Sequence, residues 1–134
     1  MNRMRILFAL AAVVIGAACA GEATGSGEPA GRGTLIVRLT TPHADDGAIL
    51  FELSGPPIDT VVAVNASLQS FTRRANSSTV VGAVIGVVVN GAVVTLQVPD
   101  VSASALYAVR IVEVADRENV LRPSLTGYGL TVSR

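Results

Sequence analysis

The longest unbroken signal in the chain is apolar. From Val80 to Val98 the sequence reads VVGAVIGVVVNGAVVTLQV, and no charge falls between Arg74 and Asp100. β-Branched residues crowd the stretch, which suits a pleated, half-buried surface. Asn90-Gly91 divides it. Between alternating hydrophobics this dipeptide is a strong hairpin signal, because a type I′ turn needs φ > 0 at both central residues. A hairpin closed there predicts that Val89 faces Ala92, Val87 faces Val94 and Ile85 faces Leu96. That face is wholly apolar. The opposite face sets Val84, Gly86 and Val88 against Val93, Thr95 and Gln97, and is mixed. One apolar face and one mixed face are what a sheet covering a core on one side shows.

The same residues, Thr79–Val98, have the length of a membrane helix and contain the helix-packing spacing of Gly82 and Gly86. An integral membrane subunit is therefore an alternative. Against it, Asn90 and Gly91 would fall near mid-span, and dense valine favours strand over helix.

Period-two alternation places the other strands around this centre. Thr34–Thr40 points Leu35, Val37 and Leu39 to one face, and Ala48–Ser54 does the same with Ile49, Phe51 and Leu53. Turn chemistry joins them across Thr41–Gly47, and Pro56-Pro57 ends the second, since proline cannot donate to a ladder. Thr60–Val64 and Ser67–Thr72 read as two short strands, followed by a polar loop over Arg73–Ser78. After a turn at Pro99–Ser102, Leu106–Ala115 reads as a long strand. Its alternation slips near Glu113, which predicts a β-bulge. Val120-Leu121 reads as a short pairing segment and Leu125–Ser133 as the last strand. Seven to nine short strands with regular turns and no helix predict an all-β fold, a single β-sandwich of immunoglobulin-like or cohesin/jelly-roll-like type over residues 34–134. In segment order, Gly33–Thr40 followed by Gly47–Ser54, with the later Gly91–Val98, resembles the cohesin-type and related carbohydrate-binding-module sandwiches. Cohesins bind dockerin modules by a sheet face. Binding modules hold glycans on aromatic platforms, and the absence of Trp argues against such a platform here.

The first 33 residues follow different rules. Arg3 and Arg5 precede an apolar run, Ile6–Ala18, too short for a confident membrane span. Ile15-Gly16-Ala17-Ala18-Cys19 resembles the lipobox of bacterial lipoproteins, although the family most often has Leu where Gly16 stands. The resemblance implies a signal peptide over 1–18, cleavage before Cys19, and attachment of a diacylglycerol and fatty acyl (palmitate) anchor to that thiol. Residues 19–33 then form the lipidated Cys and a flexible Gly/Ala/Glu/Ser/Pro tether. Cys19 is the only cysteine, so no intramolecular disulfide can form. The expected location is the bacterial cell envelope, with the membrane engaged through the lipid on Cys19.

Charge and composition exclude more than they propose. All ten basic residues are Arg, and the formal net charge is zero, so nothing suggests nucleic acid. His43 is the only histidine and lies beside Asp45 and Asp46. A small hydrolase or metal-assisted enzyme using His43 is the catalytic alternative, yet no nucleophile elbow or Lys accompanies it. Asp45-Asp46 and Asp116/Glu118 could offer oxygens to calcium if their loops met, though without EF-hand spacing. Asn65 and Asn76 begin sequon-like triplets that read as turn residues. No catalytic residue, cofactor or metal site is expected. The reading is a non-catalytic, lipid-anchored envelope protein with a binding or structural role and a protein or polysaccharide partner.

Overall fold

The computed structural model describes residues 31–134. The signal segment 1–18, Cys19 and the tether up to residue 30 lie outside the described residues. Eight strands form: β1 (Gly33–Thr40), β2 (Asp46–Ser54), β3 (Thr60–Ala63), β4 (Leu68–Asn76), β5 (Thr79–Val88), β6 (Gly91–Val98), β7 (Ala108–Asp116) and β8 (Gly129–Ser133). They build two antiparallel four-stranded sheets, β3-β6-β1-β8 and β4-β5-β2-β7, packed face to face as a β-sandwich. We call these the polar sheet and the apolar sheet, after their outer faces.

The alternating strands bury the residues their pattern marks. Leu35, Val37 and Leu39 of β1 and Ile49, Phe51 and Leu53 of β2 all lie in the core. Val94 and Leu96 meet Val37 and Leu35 across β1–β6, and Val84 meets Ile49 across β2–β5. The slip near Glu113 is a bulge. Leu50 pairs with Glu113 and Phe51 with Ile111, leaving Val112 as the extra residue. A second bulge leaves Val93 unopposed, because Val37 pairs with Val94 and Arg38 with Ala92. Leu121 bridges to Ala115, as the short pairing segment predicts.

The central hairpin does not form. β5 and β6 belong to different sheets, so Asn90-Gly91 is a crossover between layers. Gly91 has φ +124°, but Asn90 is not among the positive-φ residues, so the type I′ turn is absent. Instead Asn90 Oδ1 accepts from the Thr41 backbone N–H at 2.7 Å and ties the crossover to the end of β1. The expected faces of β5 reverse accordingly. Val84 and Val88 are buried, while Ile85, Val87 and Val89 are exposed. The tight hairpin lies one connection earlier, in the stretch read as a polar loop. β4 continues to Asn76, which pairs with Thr79 around Ser77-Ser78. Asn76 Oδ1 accepts from the Ser78 N–H at 2.9 Å and fixes this turn. The membrane-helix alternative for Thr79–Val98 also falls, since those residues are two strands in two sheets. No helix among the described residues is long and apolar enough to cross a membrane.

Smaller corrections follow from edges and ends. Leu106 closes a 3-10 turn over Val101–Leu106, capped by Asp100, so β7 starts two residues later than expected. The last strand starts at Gly129 instead of Leu125. Ahead of β1, the Gly31 carbonyl accepts from the Val101 N–H at 2.9 Å, and Arg32 pairs with Asp59.

β2 to β6 occupy the places of strands B, C, D, E and F of an immunoglobulin domain. The flanking strands are exchanged. β1, which precedes this set, pairs with β6, and β7, which follows it, pairs with β2.

Gly82 shows how closely the layers fit. A methyl group there would run into the Phe51 ring, which is itself in the core. Gly82→Ala is expected to cost about 1–3 kcal/mol, the usual penalty for overpacking. Adding Phe51→Leu should recover part of that loss in urea denaturation, because the two sites share one volume.

Candidate functional site

Two places stand out. One is the end of the sandwich where β1 turns into β2, and the other is the outside of the apolar sheet. The first is built on Asp46, whose residue is 0% exposed. A carboxylate so placed needs partners on every side, and it has them. Its Oδ1 accepts from Arg122 Nε at 3.0 Å and from the Tyr128 hydroxyl at 2.9 Å, and lies 2.8 Å from Arg122 Nη2. Its Oδ2 accepts from Thr41 Oγ1 at 2.5 Å. One side chain thus joins the end of β1, the start of β2 and the β7–β8 connection.

Arg122 extends the cluster outward. Its Nη2 reaches Asp45 Oδ1 at 2.6 Å, and its Nη1 lies 4.0 Å from Asp116 Oδ2. The bond to Asp46 foremost, with that to Asp45, raises the guanidinium pKa above its usual value. The hydrogen bond from Arg122 holds Asp45 below the ordinary carboxylate range. Burial, then the bond to Asp46, pushes the Tyr128 phenol up. Asp45, Asp46 and Asp116 therefore converge as a calcium reading requires, but around an arginine. Glu118 gives only its backbone N–H to Asp116 Oδ1. Among the described residues no group of three or more His, Cys, Asp or Glu is placed to hold a metal ion.

His43 is exposed beside this cluster. Its ring packs against Tyr128 with centroids 5.8 Å apart and makes no hydrogen bond among the described residues. The neighbouring acids face Arg122 instead of the imidazole. Asn65 and Asn76 each accept from the N–H two residues on, the turn role their sequence suggests.

These shifts set a pH dependence. Asp45, and Asp100 bonded by Ser102, have folded pKa values below their unfolded ones. Their contribution is complete above the ordinary carboxylate pKa of about 4 and lost as pH falls through the lower folded values. Asp45→Asn should make the acid limb of a stability–pH curve shallower, as read by urea midpoints.

The second place needs no chemistry to be conspicuous. The polar sheet turns Thr34, Arg38, Thr95, Gln97 and Thr131 to solvent, relieved by Ile36 and Val62. The apolar sheet instead presents Leu50, Phe71, Ala83 and Ile85 in adjacent rows. Phe71 is 57% exposed and Ile85 47%. On the β2–β7 side of Ile85 lies a shallow depression of about 130 Å³, lined by Ala48, Ala83 and Ala115 with Leu50, Ile85, Leu121 and Glu113 around them. Arg73 and Glu113 border this face on β4 and β7, both exposed and without an ion pair among the described residues. The adjacent Arg74 points elsewhere and donates to the Ile58 carbonyl at 2.7 Å. Sequence reasoning missed this face because it placed Ile85, Val87 and Val89 in the core. The signal was present in Phe71, an aromatic flanked by polar residues on its strand.

No family model, curated protein or solved structure matches this chain.

Proposed function

We propose that the chain is a bacterial lipoprotein, acylated on Cys19, that carries a non-catalytic β-sandwich at the envelope membrane and docks there through the outer face of the apolar sheet. The observation that carries the docking role is the contrast between the two outer faces. One is dressed in Thr, Gln and Arg, whereas the other sets Leu50, Phe71, Ala83 and Ile85 around a depression, bordered by Gln69 and the charged Arg73, Glu52, Arg110 and Glu113. Contiguous exposed apolar surface of this kind marks interaction sites. The resemblance to cohesin-type sandwiches, which engage partners by a sheet face, points the same way. A protein partner suits the face better than a glycan, since Phe71 is its one aromatic.

The topology suits a tethered module. The chain enters β1 at one end of the sandwich, and the Asp46–Arg122 cluster braces the opposite end. With the tether on the membrane side, both outer faces stand clear of the bilayer. A non-catalytic role is supported by the cluster's bonding, where Asp46 and Asp45 are held by Arg122 and His43 bonds to neither. Labelled palmitate should be incorporated by the wild-type chain in a bacterial host and not by Cys19→Ser. Label retained in the variant, or absent from both, would overturn the anchor.

A further inference from the structure

We propose that the sandwich stands upright on the membrane that holds its anchor, with the end where the chain enters β1 in contact with acidic phospholipid headgroups. The contact rests on the lipoprotein reading given above and adds an orientation to it. Three observations coincide at that end.

The first is where the chain enters. The segment before β1 is held at this end by the Gly31–Val101 hydrogen bond and the Arg32–Asp59 ion pair. The chain from Cys19 to Gly31 spans no more than about 43 Å at full extension. Anchoring therefore keeps this end within that distance of the bilayer. The opposite end is free to stand about 30 Å farther out, the length of the nine-residue β2.

The second is charge along the strands. Pairing sets Arg73 and Arg74 opposite Val81 and Val80, near the start of β5 and so at the entry end. Arg110 is paired with Glu52 in the same half, and Arg134 follows β8, which runs toward this end. Counting side chains, the entry half sets Arg32, Arg73, Arg74, Arg110 and Arg134 against Glu52, Asp59 and Asp100. The far half sets Arg38, Arg117 and Arg122 against Asp45, Asp46, Asp116 and Glu118, with Glu113 at mid-height opposite Leu50. The domain is thus positive toward the tether and negative away from it. A polarity of this sign orients it over an anionic surface.

The third is Leu106. It lies on the 3-10 turn that crosses the entry end from β6 to β7. At 67% exposure it is the most exposed large hydrophobic among the described residues. The turn is held in place, since the Leu106 carbonyl oxygen lies against Gly55 and the Tyr107 hydroxyl donates to the Pro57 carbonyl at 2.9 Å. A fixed turn offering a leucine beside a basic surface suits the boundary between headgroups and acyl chains. The upright pose leaves the apolar sheet clear for its protein partner.

The chain has no tryptophan, so Leu106→Trp, Ile85→Trp and Val89→Trp each carry a single reporter. These positions are exposed, so folding is not at stake. Full-length acylated variants are placed in phosphatidylcholine vesicles with and without phosphatidylglycerol, with brominated acyl chains as the quencher. Indole favours the interface wherever it is placed, so the positions are compared with one another. Strong quenching is expected for Leu106→Trp with phosphatidylglycerol present. Little is expected at position 85 on the apolar sheet or position 89 at the far end. Adding Arg73→Glu to Leu106→Trp should lower the ratio of quenched to free protein about tenfold, and high salt should act in the same direction. Flotation with the vesicles reads the anchor separately. Floating protein that is unquenched at position 106, equally quenched at all three positions, or indifferent to phosphatidylglycerol and salt overturns the upright contact and leaves the anchor standing. Protein that does not float overturns both.

Discussion

Asp46→Ala is expected to destabilise the domain by about 3–5 kcal/mol, the cost of removing one partner from a buried, hydrogen-bonded ion pair. Asp46 is the only acidic residue in the described core. Its removal leaves the Tyr128 hydroxyl, Thr41 Oγ1 and the inner edge of Arg122 facing a cavity. Three segments distant in sequence lose their common anchor, and Arg122 retains only the partly solvated Asp45 and the distant Asp116. Asp46→Asn should fall between, since the amide keeps an acceptor for Thr41 or Tyr128 but cannot balance the guanidinium. In thermal melts the alanine variant should unfold on the order of 20 °C below wild type. A loss under about 1 kcal/mol, the scale of a surface ion pair, would show that the cluster does not brace the fold.

Gly86→Ala carries the second large effect, about 2–6 kcal/mol. Gly86 has φ +143°, where an L side chain is strained by roughly 1–3 kcal/mol. Its missing Cβ also makes room for the Ser67 carbonyl oxygen, where the chain enters β4. Backbone cannot yield as a side-chain tip can, so overpacking adds about 1–3 kcal/mol. Gly91→Ala is the control. Gly91 is also at positive φ, but nothing stands within 4 Å of a Cβ built there. The difference between the two urea-derived losses isolates the clash at β4. Equal losses would refute it.

Most of the sandwich was legible because alternation is a local property. Leu35, Val37 and Leu39, or Ile49, Phe51 and Leu53, mark their buried face without knowledge of any partner strand. The bulge near Glu113 was legible for the same reason, as a change of phase within one strand. Connectivity was not. Val80–Val89 is apolar on both faces, so its pattern cannot say which side is buried, and a one-residue change of phase exchanges the two. Asn90-Gly91 fits a hairpin in composition, but the Asn90 side chain is held by Thr41, a contact forty-nine residues away in sequence. Arg73 and Arg74 hid the second half of β4, because an edge strand tolerates polar residues and charges on both faces. The Asp46 cluster was half legible. His43, Asp45 and Asp46 drew notice as neighbours, whereas Arg122 and Tyr128 arrive from the β7–β8 connection and carry no local mark.

The exposed valines and Ile85 on β5 illustrate how function was displaced by that ambiguity. Read as core, they explained stability. Placed outside by the structure, they become surface that water does not favour, and Ile85 lies one row from Phe71 and lines the same depression as Leu121. The same stretch that drew attention as the centre of the fold thus supplies one wall of the proposed docking face.

The most direct test is photo-crosslinking in intact cells, with benzoyl-phenylalanine placed at Ile85 on the apolar sheet or at Thr95 on the polar sheet. The account predicts a strong protein adduct from position 85 and little or none from position 95. No adduct from position 85, or equal adducts from both positions, would contradict it.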